Sequence, residues 1–280
     1  MRVHSADGSP LTVHTVGDGP GIVLLHGGGL RESHYRRLAK ALAAGGFAVH
    51  RYNRRGRPDT APVTGDETIA TDVEDLAAVL AATGARSAFG HSGGGFVALQ
   101  AGMASQTAAM LDRIAVFDPG LYIDGRPAGG WIDEFERWVA AGDYVHAFAV
   151  LTKYTYPDDL KGRMPFGIAK IFGNLFFKTP IGKDMAEVMP SFGPEIRRIA
   201  ESEGPASNYA SIKARTLLLA GTKSPGYFLE NCRAVAAELA DGEARAVKGN
   251  HTLPNVAAAS IVKPLIAFFG EGVSPDREAR

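Results

Sequence analysis

The stretch Ala88-Phe89-Gly90-His91-Ser92-Gly93-Gly94-Gly95-Phe96 constrains this chain most, because it runs an apolar approach into a serine fenced by glycines and out into Val97-Ala98-Leu99. Within it, Gly90-x-Ser92-x-Gly94 has the spacing of a sharp strand-to-helix turn. Such a turn holds the serine in a strained conformation with its hydroxyl projecting, and the flanking positions must be small so that neighbouring backbone can close in. A fold containing it needs a strand before Ser92 and a helix after it. An ordinary glycine-rich connection is the alternative for so short a pattern.

The rest of the chain repeats this alternation. Val3-His4 and Leu11-Thr12-Val13-His14-Thr15, around Asp7-Gly8-Ser9-Pro10, read as a short antiparallel start. Ile22-Val23-Leu24-Leu25 is a continuous apolar run of the buried parallel-strand kind, and helical character over 33–44 follows it. A strand over 47–52 comes next. Ile69, Val73, Leu76 and Leu80 then recur at helical spacing up to Gly84. Beyond the serine turn, a helix over 93–103 precedes a strand over 113–119. Thr216-Leu217-Leu218-Leu219-Ala220, a helix over 228–239, a strand over 244–247 and a closing helix over 256–269 complete the series. Strands alternating with helices predict an α/β fold with a doubly wound, mostly parallel sheet.

Between 121 and 208 no strand pattern is present. Ile132, Phe135, Trp138 and Val139 mark one helix, and Tyr144, Phe148 and Leu151 a second, in a region rich in Phe and Met. The expected division is a core over 1–120 and 209–270, a helical cap over 121–208, and a disordered tail over 271–280. Trp131, Phe135, Trp138, Phe148, Met164, Phe172, Phe176, Phe177, Met185 and Met189 are read mainly as packing, with some apolar pocket wall among them.

Two further motifs accompany the serine turn. Leu25-His26-Gly27-Gly28-Gly29 ends the first buried strand, and Lys248-Gly249-Asn250-His251 follows the last. In this order and at these distances the chain resembles the serine branch of the α/β-hydrolase superfamily, with an inserted helical cap. The architecture of that resemblance spans nearly the whole chain; its specific motifs occupy only these three places.

The resemblance implies a nucleophile at Ser92 and a base at His251. It implies an oxyanion hole made by the amides of Gly28 and Gly93, with His26, Gly27 and Gly29 supporting the loop. The acid departs from the commonest pattern. Its usual place reads Ala220-Gly221-Thr222-Lys223-Ser224-Pro225, which holds no carboxylate and sets Ser224 where an aspartate is expected. Some branches of the fold carry the acid one strand earlier, and that place is Asp118. The chain order Ser92, Asp118, His251 keeps the family's sequence of roles. The alternative for Asp118 is a cap on the Pro119 turn, and Ser224 is expected to matter little. His91 is read as packing under the turn and His146 as a helix-face residue. Asn53-Arg54-Arg55-Gly56-Arg57-Pro58-Asp59 departs from the family's loop, and its arginines read as a solvated or paired charge run, with docking of an acidic substrate group as the alternative.

A chain of 280 residues, 45% of them hydrophobic, suits one catalytic unit. Lys plus Arg and Asp plus Glu number 30 each, so no nucleic-acid partner is expected. No apolar run is long enough for a signal or membrane span, so a cytoplasmic protein without a membrane partner is expected. Cys232 shares a helical face with Phe228, Val235 and Leu239, and reads as core. Neither a phosphate loop, a dinucleotide frame nor zinc-ligand spacing is present, so no cofactor or metal is called for. The implied activity is hydrolysis of an ester, lactone or thioester of a small to medium hydrophobic molecule through an acyl-enzyme. Two alternatives stand beside it: a lyase, acyltransferase or cofactor-free cyclase or oxygenase on the same fold, and a binding protein without turnover.

Overall fold

Apolar runs of the buried kind become the strands of one sheet: β1 (Arg2–His4), β2 (Pro10–Val16), β3 (Gly21–Leu25), β4 (Ala48–Tyr52), β5 (Ser87–His91), β6 (Arg113–Phe117), β7 (Arg215–Gly221) and β8 (Gly242–Val247). The computed structural model describes residues 1–125, 130–157, 159–160, 162–202 and 204–271, so the expected tail lies, from 272 onward, outside the described residues. Strand order is β1-β2-β4-β3-β5-β6-β7-β8. The first two strands enter antiparallel, and the six from β3 to β8 are parallel.

Side-chain alternation along each strand divides the apolar residues between two faces. In β7, Leu218 and Ala220 join one cluster with Phe228 and Cys232, while Leu217 and Leu219 join another with Leu42 and Phe269. The first face is covered by α2 (Ile69–Thr83), α3 (Gly93–Met103) and α9 (Gly226–Glu238), with the short α4 (Ser105–Ala108) following α3. The second is covered by α1 (Arg36–Ala43) and the C-terminal helix. The doubly wound expectation is met, and α2 stops at Gly84, whose φ of 66° suits a residue without a Cβ.

Two elements differ from the sequence reading. The helix expected over 33–44 starts as a 3₁₀ turn, Glu32–Tyr35, before α1. The single closing helix is two: α10 (Leu253–Val256) and α11 (Ala259–Gly270), separated by Ala257 in the left-handed region and the extended Ala258. Hydrophobic periodicity runs across that break and cannot register it.

Between β6 and β7 the chain inserts α5 (Ile132–Ala140), α6 (Tyr144–Thr155), α7 (Phe166–Phe176) and α8 (Pro180–Glu201). These helices bury a third cluster, Trp131, Ile132, Phe135, Ala147, Val150, Met189 and Ile196, separate from both sheet faces.

The β5–α3 turn depends on absent side chains. A Cβ at Gly90 would lie 2.3 Å from the carbonyl oxygen of Gly94, and one at Gly94 would lie 2.4 Å from that of Leu25. Both obstacles are backbone and cannot swing away. We expect Gly94→Ala to cost about 3 kcal/mol, the upper end for overpacking. Gly167→Ala, on α7 with nothing within 4 Å, should cost nothing. Urea unfolding of the two variants checks the contrast, and equal midpoints would refute it.

Candidate active site

Ser92 caps the N-terminus of α3 with φ 52° and ψ −122°. A non-glycine residue there carries strain of about 1–3 kcal/mol, and it persists only where its surroundings over-determine it. Here they do. The Ser92 amide donates to the Phe117 carbonyl at 3.0 Å, and its own carbonyl accepts from the amides of Gly95, Phe96 and Gly120 at 2.9, 3.2 and 2.9 Å. The β5–α3 turn is thereby tied to the end of β6.

The end of β6 presents Asp118, fully buried and also at positive φ. Its amide extends the ladder to the Leu219 carbonyl at 2.8 Å. Oδ1 accepts from the Gly221 amide at 2.9 Å, and Oδ2 accepts from Ser224 Oγ at 2.5 Å. Nδ1 of His251 lies 3.0 Å from the same Oδ2. A carboxylate accepts, so Nδ1 carries the proton and Nε2 is the ring's acceptor. His251 also stacks on Phe228, with ring centroids 5.3 Å apart. Ser224, expected to matter little, donates its hydroxyl to the Asp118 oxygen that faces His251. The resemblance set Ser224 in the usual place of the acid, but not the bond from its hydroxyl to Asp118, 106 positions away.

Ser92 and His251 open onto one cavity of about 340 Å³. Gly27, Gly28 and Gly93 line it too. The point a side chain at Gly93 would occupy lies 3.6 Å from the Gly28 amide nitrogen, so the two glycines border one space. Phe192 of α8 packs onto Gly28, where a Cβ would come within 2.2 Å of its ring. Gly29 adopts φ 65° beside the same ring. Of the aromatic and methionine residues singled out in sequence, Trp131, Phe148, Phe176 and Met185 line the cavity, whereas Phe135 and Met189 are core and Phe172 is exposed. Phe192, Tyr154 and Ile199, also in the wall, carried no sequence signal that set them apart from helix packing.

Four buried polar links hold the loops. His26 Nδ1 donates to the Gly27 carbonyl at 2.9 Å and its Nε2 accepts from the Arg54 amide at 2.9 Å. Tyr35 Oη accepts from the Gly27 amide at 3.0 Å and is hydrogen-bonded to His91 Nδ1 at 2.5 Å. His91 in turn packs beneath the turn with its ring 4.5 Å from that of His251. Burial pushes both histidines well below their ordinary pKa; the charges of Arg57 and Arg54 add to this for His26, and that of His251 for His91.

The arginine loop is paired and buried. Arg54 donates to Asp72 Oδ1 through Nε and Nη2 at 3.0 and 2.9 Å, and to Glu195 Oε2 through Nη1 at 3.3 Å. Arg57 also pairs with Glu195, Arg198 with Asp72 at 3.3 Å, and Arg55 with Asp75 and Asp7. Burial opposes the charge of Arg54, but Asp72 and Glu195 outweigh it and hold its pKa above the ordinary value. Arg54 Nη1 also lies 3.6 Å from the Cβ point of Gly93, which brings positive charge to the space bordered by Gly28. The sequence reading missed Glu195, whose helix supplies the partner from 141 positions away.

A model of the alpha/beta hydrolase family matches residues 22–263. Among solved structures the chain is similar to an alpha/beta hydrolase from Sphaerobacter thermophilus, at 25% identity and a TM-score of 0.78, covering 96% of this chain and all of that one (100%). It is similar in fold to a bromoperoxidase from Bacillus anthracis, at 16% identity and a TM-score of 0.73 over 97% and 100% of the two chains. The enol-lactonase from Burkholderia xenovorans is similar at 19% identity and a TM-score of 0.65, over 96% and 100%. No curated protein sequence matches the chain.

Two predictions follow from the buried groups. His26 and His91 stay neutral when folded, whereas in the unfolded chain each takes up a proton near 6.5. The unfolded state therefore binds more protons below that pH, and stability falls as pH drops. These two rings together should remove about 2 kcal/mol between pH 6 and pH 5. Urea midpoints across that interval measure the loss, and His91→Asn should halve it; an unchanged slope would refute the assignment. Ser224→Ala removes a hydrogen bond to a charged group, worth about 1.5–3 kcal/mol. Turnover of an activated ester should drop about tenfold with KM little altered, and a wild-type rate would show the contact to be idle.

Proposed function

The chain belongs to the alpha/beta hydrolase family, and from that premise we propose that it is a serine hydrolase acting on an ester, lactone or thioester of a small to medium hydrophobic molecule. The observation that carries the reading is the Asp118–His251 pair at 3.0 Å, set on the same cavity as a strained Ser92. A buried carboxylate that fixes the tautomer of an imidazole sharing a cavity with a serine supports proton transfer from that serine.

In this reading His251 Nε2 takes the Ser92 proton as Oγ bonds to the acyl carbon. The carbonyl electron pair moves to oxygen, where the amides of Gly28 and Gly93 receive it, each such donor being worth on the order of 10²–10³ in rate. The tetrahedral adduct collapses, the bond to the leaving alcohol or thiol breaks, and His251 returns the proton to it. Water then attacks the acyl-serine by the same route, giving the free acid and restoring Ser92. Arg54 adds positive potential near the developing oxyanion while held by Asp72 and Glu195. His26, Gly27 and Gly29 shape the loop that carries Gly28.

The helical insertion acts as the cap, and its Trp131, Phe148, Phe176, Met185 and Phe192 supply an apolar wall. Glu195, the charged residue of that wall, is occupied by Arg54 and Arg57, so a neutral acyl or alkyl group suits the cavity. The enol-lactonase among the structural neighbours fits a ring ester as one member of this class. Fold likeness does not choose between hydrolysis and other chemistry. An activated serine separates an enzyme from a binding protein, and release of free acid from a substrate in water separates hydrolysis from lyase or transfer chemistry.

A fluorophosphonate probe tests this. We expect one adduct, on Ser92, that is absent in Ser92→Ala and strongly reduced in His251→Ala. Asp118→Asn should lower turnover of a p-nitrophenyl ester by about 10⁴. Failure of the correctly folded protein to take up the probe would falsify the activated serine.

A further inference from the structure

Large hydrophobic residues left in solvent are concentrated in one place. Leu160, Phe166, Ile168, Ile171, Phe172, Leu175 and Ile181 are all exposed, and outside this stretch only Met1 and Val256 are so among the described residues. Ile168, Ile171, Phe172 and Leu175 stand at i, i+3, i+4 and i+7 of α7, so they form a single outward stripe. Ile171, Phe172 and Leu175 are 62%, 58% and 58% exposed, more than packing within the fold would leave. Gly173, on the opposite side of the helix, is buried against Val145 of α6.

Along the chain, the segment that carries the stripe has charges of one sign. Between Asp159 and Asp184 the sequence contains no Asp or Glu, while Lys178 and Lys183, just beyond the end of α7, stand exposed. The next carboxylates along the chain, Asp184 and Glu187, are engaged by Arg31 at 3.9 and 2.5 Å. A short apolar helix face in a segment whose charges are all basic is the pattern of a segment that lies in the plane of a lipid surface.

We propose that the α7 face docks this protein onto an anionic lipid bilayer, with Ile171, Phe172 and Leu175 entering the headgroup boundary and Lys178 and Lys183 meeting the phosphates. No helix of the described residues is long and apolar enough to cross a membrane, and docking does not require one. The docking replaces the expectation of no membrane partner. A second copy of the chain fits the face less well. A two-fold contact through α7 would bring both sets of lysines together with no carboxylate in the segment to offset them. The face also leads to the cavity, because Phe176 at the end of α7 and Ile181 beyond it line the wall near Ser92. Docking itself does not depend on the hydrolase reading and is measured without turnover.

Sedimentation with vesicles of equal parts phosphatidylcholine and phosphatidylglycerol tests the proposal, with phosphatidylcholine vesicles as the comparison. The protein should sediment with the anionic vesicles, and high salt should weaken this by screening. Lys178→Gln and Lys183→Gln should each lower the partition coefficient about fivefold. Phe172→Asp should lower it more than about tenfold, with an unchanged melting temperature and unchanged turnover of a water-soluble ester. Light scattering should find a monomer. The proposal is overturned by no sedimentation with anionic vesicles, by equal partitioning of Phe172→Asp, or by a wild-type dimer that Phe172→Asp dissolves.

Discussion

A buried carboxylate without hydrogen bonds would shed its charge or unfold the segment that carries it. Asp118 is not left without partners, because three separate stretches of chain converge on it. The Gly221 amide comes from the end of β7, the Ser224 hydroxyl from the turn after β7, and the His251 ring from the loop after β8. Each of these stretches is placed by the parallel ladder β6-β7-β8. The carboxylate thus locks the ends of three strands to one another, and it sets which nitrogen of His251 carries a proton.

The same end of the sheet stores backbone strain. Ser92 and Asp118 both lie at positive φ, and the Ser92 amide bonds to the carbonyl of the residue just before Asp118. Strain at one place is held by hydrogen bonds from the other. Around them, His26 bridges the glycine loop to the Arg54 backbone, and Tyr35 bridges it to His91. Side-chain links of this kind fix loops that have no ladder of their own.

What was legible in the sequence follows from what is local. The central strands could be read because burial on both sheet faces leaves short continuous apolar runs, and α3 because the serine turn must open a helix; it falls on 93–103 as expected. The serine turn was readable because its glycines answer to backbone only a few residues away, or to the adjacent strand. Asp118 was reachable as the residue ending a buried strand. The Ser224 hydroxyl and the Glu195 partner of Arg54 were not, since each meets its target across more than a hundred positions. The insertion was the least legible part. Helix α7 points apolar residues outward, and α8 runs through Pro190 and Pro194, so neither obeys the rule that periodicity marks the buried face.

Ser224 shows why an acid can stand on either of two strands without moving the histidine. β6 and β7 are parallel neighbours with Phe117 opposite Leu219, so the chain leaves both strands at the same edge of the sheet. Backbones at adjacent strand ends differ by about 4.8 Å, a gap that one short side chain spans. Asp118 Oδ2 and Ser224 Oγ accordingly meet at 2.5 Å, from opposite sides of one spot beside His251. A carboxylate at both positions would crowd two negative charges, and one would take a proton. A carboxylate at one and a hydroxyl at the other leaves a single charge with a donor facing it. Serine at 224 is therefore the complement of aspartate at 118, and the residue that stands where an acid was expected donates to the oxygen that faces His251.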